Sequence, residues 1–121
     1  MRGLQAEQLL RRPVVVRGIR LGRIVDVIFD PDATRVLGFD VLCGDELHRF
    51  LPFPAAVVAT EALEVESTLT LLDADELEFY RRHGLSLATA AELRDARVRA
   101  DGAVEAADAA ADAAGDGAAR C

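Results

Sequence analysis

Two neighbouring segments constrain this chain more than anything else in it. Residues 21–30, LGRIVDVIFD, and 35–43, RVLGFDVLC, both carry the period-two alternation of a half-buried strand. Between them, Asp30-Pro31-Asp32-Ala33-Thr34 is a turn, because proline presets φ and an aspartate can bond its own backbone. The pair reads as an antiparallel hairpin. In the first strand Leu21, Val25, Val27 and Phe29 form a nearly apolar face, broken by Arg23, while Ile24, Asp26, Ile28 and Asp30 form a mixed one. In the second, Leu37, Phe39, Val41 and Cys43 are the apolar face, and Val36, Gly38, Asp40 and Leu42 the mixed one. Each strand is therefore greasy on both sides, with a lone central aspartate on the mixed side.

The surrounding sequence multiplies short strands. Residues 4–10, LQAEQLL, suit one or two helical turns that end at Pro13, since the residue before a proline is pushed out of the helical region. Val14, Val15 and Val16 are β-branched and run into the turn signal Arg17-Gly18. After the hairpin, Gly44-Asp45 turns toward a strand at 47–51, which Pro52 and Pro54 stop. Strands at 55–60 and 63–68 follow, joined at Glu61-Ala62. About six short strands in the first 70 residues predict a small barrel or a tightly coiled sheet. A helix is predicted over 73–83: Asp73 suits the N-cap with Glu76 in capping-box spacing, Leu77 and Tyr80 share a face, and Arg81 and Arg82 suit the C-terminal dipole. Gly84 is placed to end it. Residues 101–121 hold Ala, Asp, Gly and Glu with almost no core-forming side chains, so they read as a disordered acidic tail. The division expected is a β domain over 1–72, a helical extension over 73–100 and a low-complexity Ala/Asp tail over 101–121.

Charge and composition exclude several classes. No apolar run approaches the roughly 20 residues of a membrane helix, and MRGLQAEQLLRR lacks the apolar stretch of a secretory signal. A cytoplasmic protein with no membrane span is expected. A net charge of −7 argues against direct nucleic-acid binding, which needs a basic surface. All 14 basic residues are arginine, so Schiff-base chemistry and a phosphate-loop lysine are excluded. Cys43 and Cys121 fit a reducing compartment; one lies on an apolar alternation and the other ends a polar tail, so no bridge is expected between them.

The titratable residues offer little chemistry. Asp26, Asp30, Asp32 and Asp40 are hard oxygen donors, but they lack the regular ligand spacing of a calcium loop. They read instead as turn carboxylates and as two strand aspartates bonding backbone groups or an arginine, Arg23, Arg35 or Arg49. No metal, no cofactor and no catalytic residue are expected. His48 has no nucleophile near it in the pattern, His83 suits a helix C-terminus, and Cys43 reads as a small core residue. Gly18, Gly22, Gly38 and Gly44 are spaced as turns and close-approach points, not as a phosphate cradle. The mixed face carries the stronger argument. One small barrel fills one interior, so Ile24, Ile28, Val36 and Leu42 need cover from the 73–83 helix, a second copy or another protein. A two-fold homodimer is the expectation, with Asp26, Asp40 and Arg23 at its rim.

The ordered succession Leu10-Arg11-Arg12-Pro13-Val14, then Leu21-Gly22-Arg23-Ile24-Val25-Asp26-Val27-Ile28-Phe29-Asp30, then Val36-Leu37-Gly38-Phe39-Asp40-Val41, then His48-Arg49-Phe50-Leu51-Pro52-Phe53 resembles the PRC-barrel family. That family is named after the photosynthetic reaction centre H subunit, and its fold also forms the C-terminal domain of a bacterial ribosome-maturation factor. The resemblance covers about residues 4–72. It implies a mainly β fold, a small six-stranded barrel with a C-terminal helix, and a non-catalytic interaction or assembly module of stand-alone bacterial type with an unidentified protein partner. Two alternatives accompany it: an adaptor in ribosome or RNA maturation acting through a ribosomal protein, and a small-ligand or metal-binding protein. Residues 93–102, LRDARVRADG, also echo 10–18, LRRPVVVRG, as the opening of a second repeat would.

Overall fold

The computed structural model describes residues 4–59 and 61–105. The strands are β1 (Leu4–Gln5), β2 (Pro13–Val16), β3 (Ile19–Phe29), β4 (Val36–Cys43), β5 (His48–Pro52), β6 (Ala56–Val58), β7 (Leu63–Val65), β8 (Leu85–Ser86), β9 (Arg97–Val98) and β10 (Val104–Glu105), with one helix, α1 (Ala74–His83). The six strands read from the first 70 residues are β2 to β7. They form a curled sheet in the order β5-β4-β3-β2-β7-β6, and β8 adds to β3. Neighbours pair antiparallel except β2 and β7, which run parallel. After β5 the chain crosses the 3₁₀ turn Phe53–Ala55 to the far edge and returns beside β2. That return curls the sheet around one core.

Local chemistry sets the joints. Arg17 (φ 50°) and Gly18 (φ 80°) make the two-residue β2–β3 turn, whose paired positive φ values match strand twist. Asp30 closes the next turn: its Oδ1 accepts from the Thr34 N–H at 2.7 Å and the Arg35 N–H at 3.2 Å. Asp73 caps α1 by accepting from the N–H groups of Asp75 and Glu76 at 3.1 and 3.3 Å.

The interior collects Val14, Val16, Ile24, Val27, Phe29, Val36, Phe39, Val41, Leu51 and Leu63, with Leu9, Leu87 and Val98 closing it. Three register shifts decide which hairpin residues enter. Leu21 and Val25 are extra residues on β3, and Leu37 is an extra residue on β4. An inserted residue inverts the alternation of everything beyond it. Ile24 thus joins the interior opposite Val41, whereas Asp26 and Ile28 lie on the outer face opposite Asp40 and Gly38; Val36 joins the interior opposite Phe29.

Of the three covers expected for the mixed face, the 73–83 helix is the one present, over Ile28, and the register shifts take Ile24 and Val36 into the core, so the favoured second copy is not needed to hide them. Ile24 and Ile28 are 0% exposed and Val36 is 4% exposed within a single chain. Only Leu42 remains half-buried. The seal over Ile28 is α1, whose Leu77 joins Ile28 and Phe50 in a second cluster flanked by Leu37, Leu72 and Tyr80.

The C-terminal part is less helical than expected. Residues 91–95 are a 3₁₀ turn, and at the other end residues 4–10 are the two-residue strand β1 and another 3₁₀ turn. β1, β9 and β10 form a small second sheet. Residues expected to open the tail at 101–105 instead build a turn, with Gly102 at φ 91°, and β10; Ala103 bridges to Arg35. The rest of the expected tail, 106–121, lies outside the described residues, as does Cys121.

Candidate functional site

The polar residues of the hairpin meet at the centre of its outer face. Asp26 and Asp40 sit directly opposite one another on β3 and β4, 5% and 2% exposed. They were expected at an interface rim and, if partly buried, to be partnered by Arg23, Arg35 or Arg49. The structure buries them and partners them with Arg81 and His48. Arg81 on α1 donates from Nη2 to Asp40 Oδ2 at 2.5 Å, and that nitrogen is 3.6 Å from Asp26 Oδ2. His48 Nδ1 stands 2.8 Å from Asp40 Oδ1. Asp26 Oδ1 accepts from the N–H of Val27 at 2.9 Å and of Ala88 at 3.3 Å. Of the expected partners, Arg49 pairs with Asp45 at 2.9 Å and Arg35 donates to the Asp101 carbonyl at 2.6 Å.

The electrostatics follow from that geometry. Like charges opposite each other on adjacent strands repel, and Arg81 supplies the compensating charge. Burial pushes the Asp26 carboxyl above its ordinary value, despite the two N–H donors and the Arg81 guanidinium, and the Asp40 charge adds to the rise. Each of the four side chains, Asp26, Asp40, His48 and Arg81, is paired with another of them. The cluster therefore fixes where α1 sits. Beside it, the Phe50 ring lies over Gly38, where a Cβ would collide with that ring, and Tyr80 stacks on Phe50 with centroids 4.4 Å apart. Sequence reasoning gave Arg81 only to the helix dipole. The available signal was its place on the Leu77-Tyr80-Arg81 side of the helix, at i, i+3 and i+4.

The family model for the PRC-barrel domain matches residues 1–72. The chain belongs to that family. No curated protein matches it. In this PRC-barrel chain α1 comes after the matched region, so Arg81 and Tyr80 are contributed to the barrel's outer face from outside it.

Beyond the cluster the same face is bare. Leu42 and His48 pair across β4 and β5, Arg23 lies opposite Leu42, and Arg20 opposite Val15. Arg20 and Arg23 are exposed and Leu42 and Val15 half-buried. His83 donates from Nδ1 to the Phe79 carbonyl, 2.9 Å away, and its ring packs on Phe79. Cys43 is a free, buried thiol on the core side. A groove of about 570 Å³ runs between Leu37, Pro52, Phe53, Tyr80 and Asp101. No group of three metal-binding side chains occurs among the described residues. No helix among them is long and apolar enough to cross a membrane.

Proposed function

We propose that this PRC-barrel chain is a non-catalytic protein-interaction module whose docking surface is the part of the outer sheet face that α1 leaves open. The observation that carries this reading is the division of that face. One half is sealed by Leu77, Tyr80 and Arg81, and the other presents Val15, Arg20, Arg23 and Leu42. Arginine is enriched at protein–protein interfaces, and the half-buried aliphatic side chains beside it offer apolar area that a partner can cover. The imidazole of His48 and both buried carboxylates are committed to placing the helix, which leaves the cluster a structural role. Residues 1–72 are taken as the binding domain and 73–100 as the extension that completes its face.

The homodimer loses its original support, because Ile24, Ile28 and Val36 are sealed within one chain. Light scattering at tens of micromolar, beside affinity capture from a native lysate, tests the module reading. Specific recovery of a protein by the native chain, lost in Leu42→Asp while circular dichroism is unchanged, supports it. Recovery of no protein, or recovery indifferent to Leu42→Asp and to Val15→Asp, overturns it.

A further inference from the structure

The charges of this chain are segregated along its length. Its first 25 residues hold six arginines and one glutamate, and the remainder holds eight arginines and twenty carboxylates. In such an acidic chain a basic group has many potential partners, yet four exposed arginines of the basic stretch take none. Arg11, Arg17, Arg20 and Arg23 make no side-chain hydrogen bond or ion pair among the described residues. They sit on and beside the β2–β3 hairpin. Arg20 and Arg23 share its outer face, opposite Val15 and Pro13. At the turn end of the same sheet Ile19 is 65% exposed and Leu47 56% exposed.

From this arrangement we infer that the open half of the outer face binds an extended acidic segment of another protein, one that alternates carboxylates with aliphatic side chains. The inference rests on the module reading and names the chemistry of its partner. The width of the basic row selects a narrow ligand. Glu64 lies two strands from Arg20, across Val15, and Asp45 and Glu46 stand at the β4–β5 turn. Strands are about 4.8 Å apart, so Glu64 is on the order of 10 Å from the arginine row. That is close to a Debye length of about 8 Å at physiological salt. A single extended chain fits between these carboxylates. A nucleic-acid duplex or an anionic bilayer is wider than the row and meets them, and the exposed aliphatic groups give phosphate nothing to bind.

The test is fluorescence anisotropy with the full chain and a labelled octapeptide alternating glutamate and valine, at low and physiological salt. The same peptide with lysine in place of glutamate, a 20-nucleotide single-stranded RNA and vesicles containing phosphatidylserine run beside it. The glutamate peptide is expected to bind best, more weakly as salt rises. Combined Arg20→Glu and Arg23→Glu should cost at least about tenfold in affinity, as should the milder Arg20→Gln and Arg23→Gln pair to a lesser degree, while Arg82→Glu changes it less than about twofold. Equal binding of the lysine peptide, tighter binding of RNA or vesicles, or indifference to both arginine pairs overturns the inference. A lysate partner whose recovery depends on Leu42 but survives the arginine pairs leaves the module reading standing and sinks this one. Recovery of no partner sinks the module reading itself.

Discussion

The two faces of the β3–β4 hairpin are built from the same residue types and do different work. The inner face packs Val27, Phe29, Phe39 and Val41 into a continuous apolar core with Leu51, Leu63 and Val14. The outer face has a small buried apolar cluster of Ile28, Phe50 and Leu77 among the described residues, and beside it an ion cluster. Apolar contact is non-directional, so the inner face stabilises the fold without dictating a unique neighbour. A helix of ten residues is marginal alone and needs a surface to form on. The outer face supplies that surface and, through Asp40, Asp26 and Arg81, its register. The comparison teaches that one side of the sheet holds the protein together and the other decides what lies against it.

The largest effect expected is on the inner face. Phe39→Ala removes a side chain with no exposure and leaves a cavity, for a loss of about 3–5 kcal/mol in urea unfolding. Arg81→Ala comes next. It leaves Asp26 facing Asp40 with no guanidinium, but the Arg81 side chain is 36% exposed, so the full cost of a broken buried pair is screened to about 2 kcal/mol. The two losses should separate with pH. The cost of Arg81→Ala shrinks on acidification, as the Asp26 carboxyl that burial has raised protonates, and that of Phe39→Ala does not. Equal pH profiles for the two variants would erase the division of labour between the faces.

The barrel was legible because its signals are local. The turns at Arg17-Gly18 and Asp30–Thr34, the cap at Asp73 and six strands can each be read from a few adjacent residues. The face assignment was not legible, because strict alternation assumes an unbroken ladder. Leu21, Val25 and Leu37 are ordinary strand residues, and nothing in their type announces that each is an inserted one. The bulge at Val25 alone moves Ile24 to the core side while leaving Asp26 and Ile28 outside. The partner of Asp40 was hidden for a different reason. Arg81 is 41 residues away, and many arginines could satisfy a carboxylate by type. Burial of Ile28 likewise depends on where a helix docks, which no local pattern encodes.

Within the outer cluster, Asp26→Asn gives a smaller effect and a sharper sign. Burial raises the Asp26 carboxyl above its unfolded value, near 3.8. The folded state therefore holds that proton more tightly. Its contribution to stability is fully present below the unfolded value and is lost as pH rises through the folded one. Asparagine keeps an oxygen for the Val27 and Ala88 N–H groups and removes the charge. At pH 7 the variant should unfold within about 1 kcal/mol of wild type. Its stability relative to wild type should improve between pH 3.5 and 7. An improvement in the opposite direction would mean that Arg81 outweighs burial at this site.

The smallest effect separates the two halves of the outer face. Arg20→Glu and Arg23→Glu together reverse two charges in the open half, where neither side chain has a partner within the chain. Exposed substitutions away from caps, cavities and buried networks fall within about 0.5 kcal/mol, so urea unfolding should barely move. Reversing two positive charges in a chain of net charge −7 adds self-repulsion, and that small cost should vanish in high salt. A large, salt-independent loss would show that the arginines support the fold. They would then belong with Arg81 in the covered half, and the division of the face into a sealed part and an open one would fail.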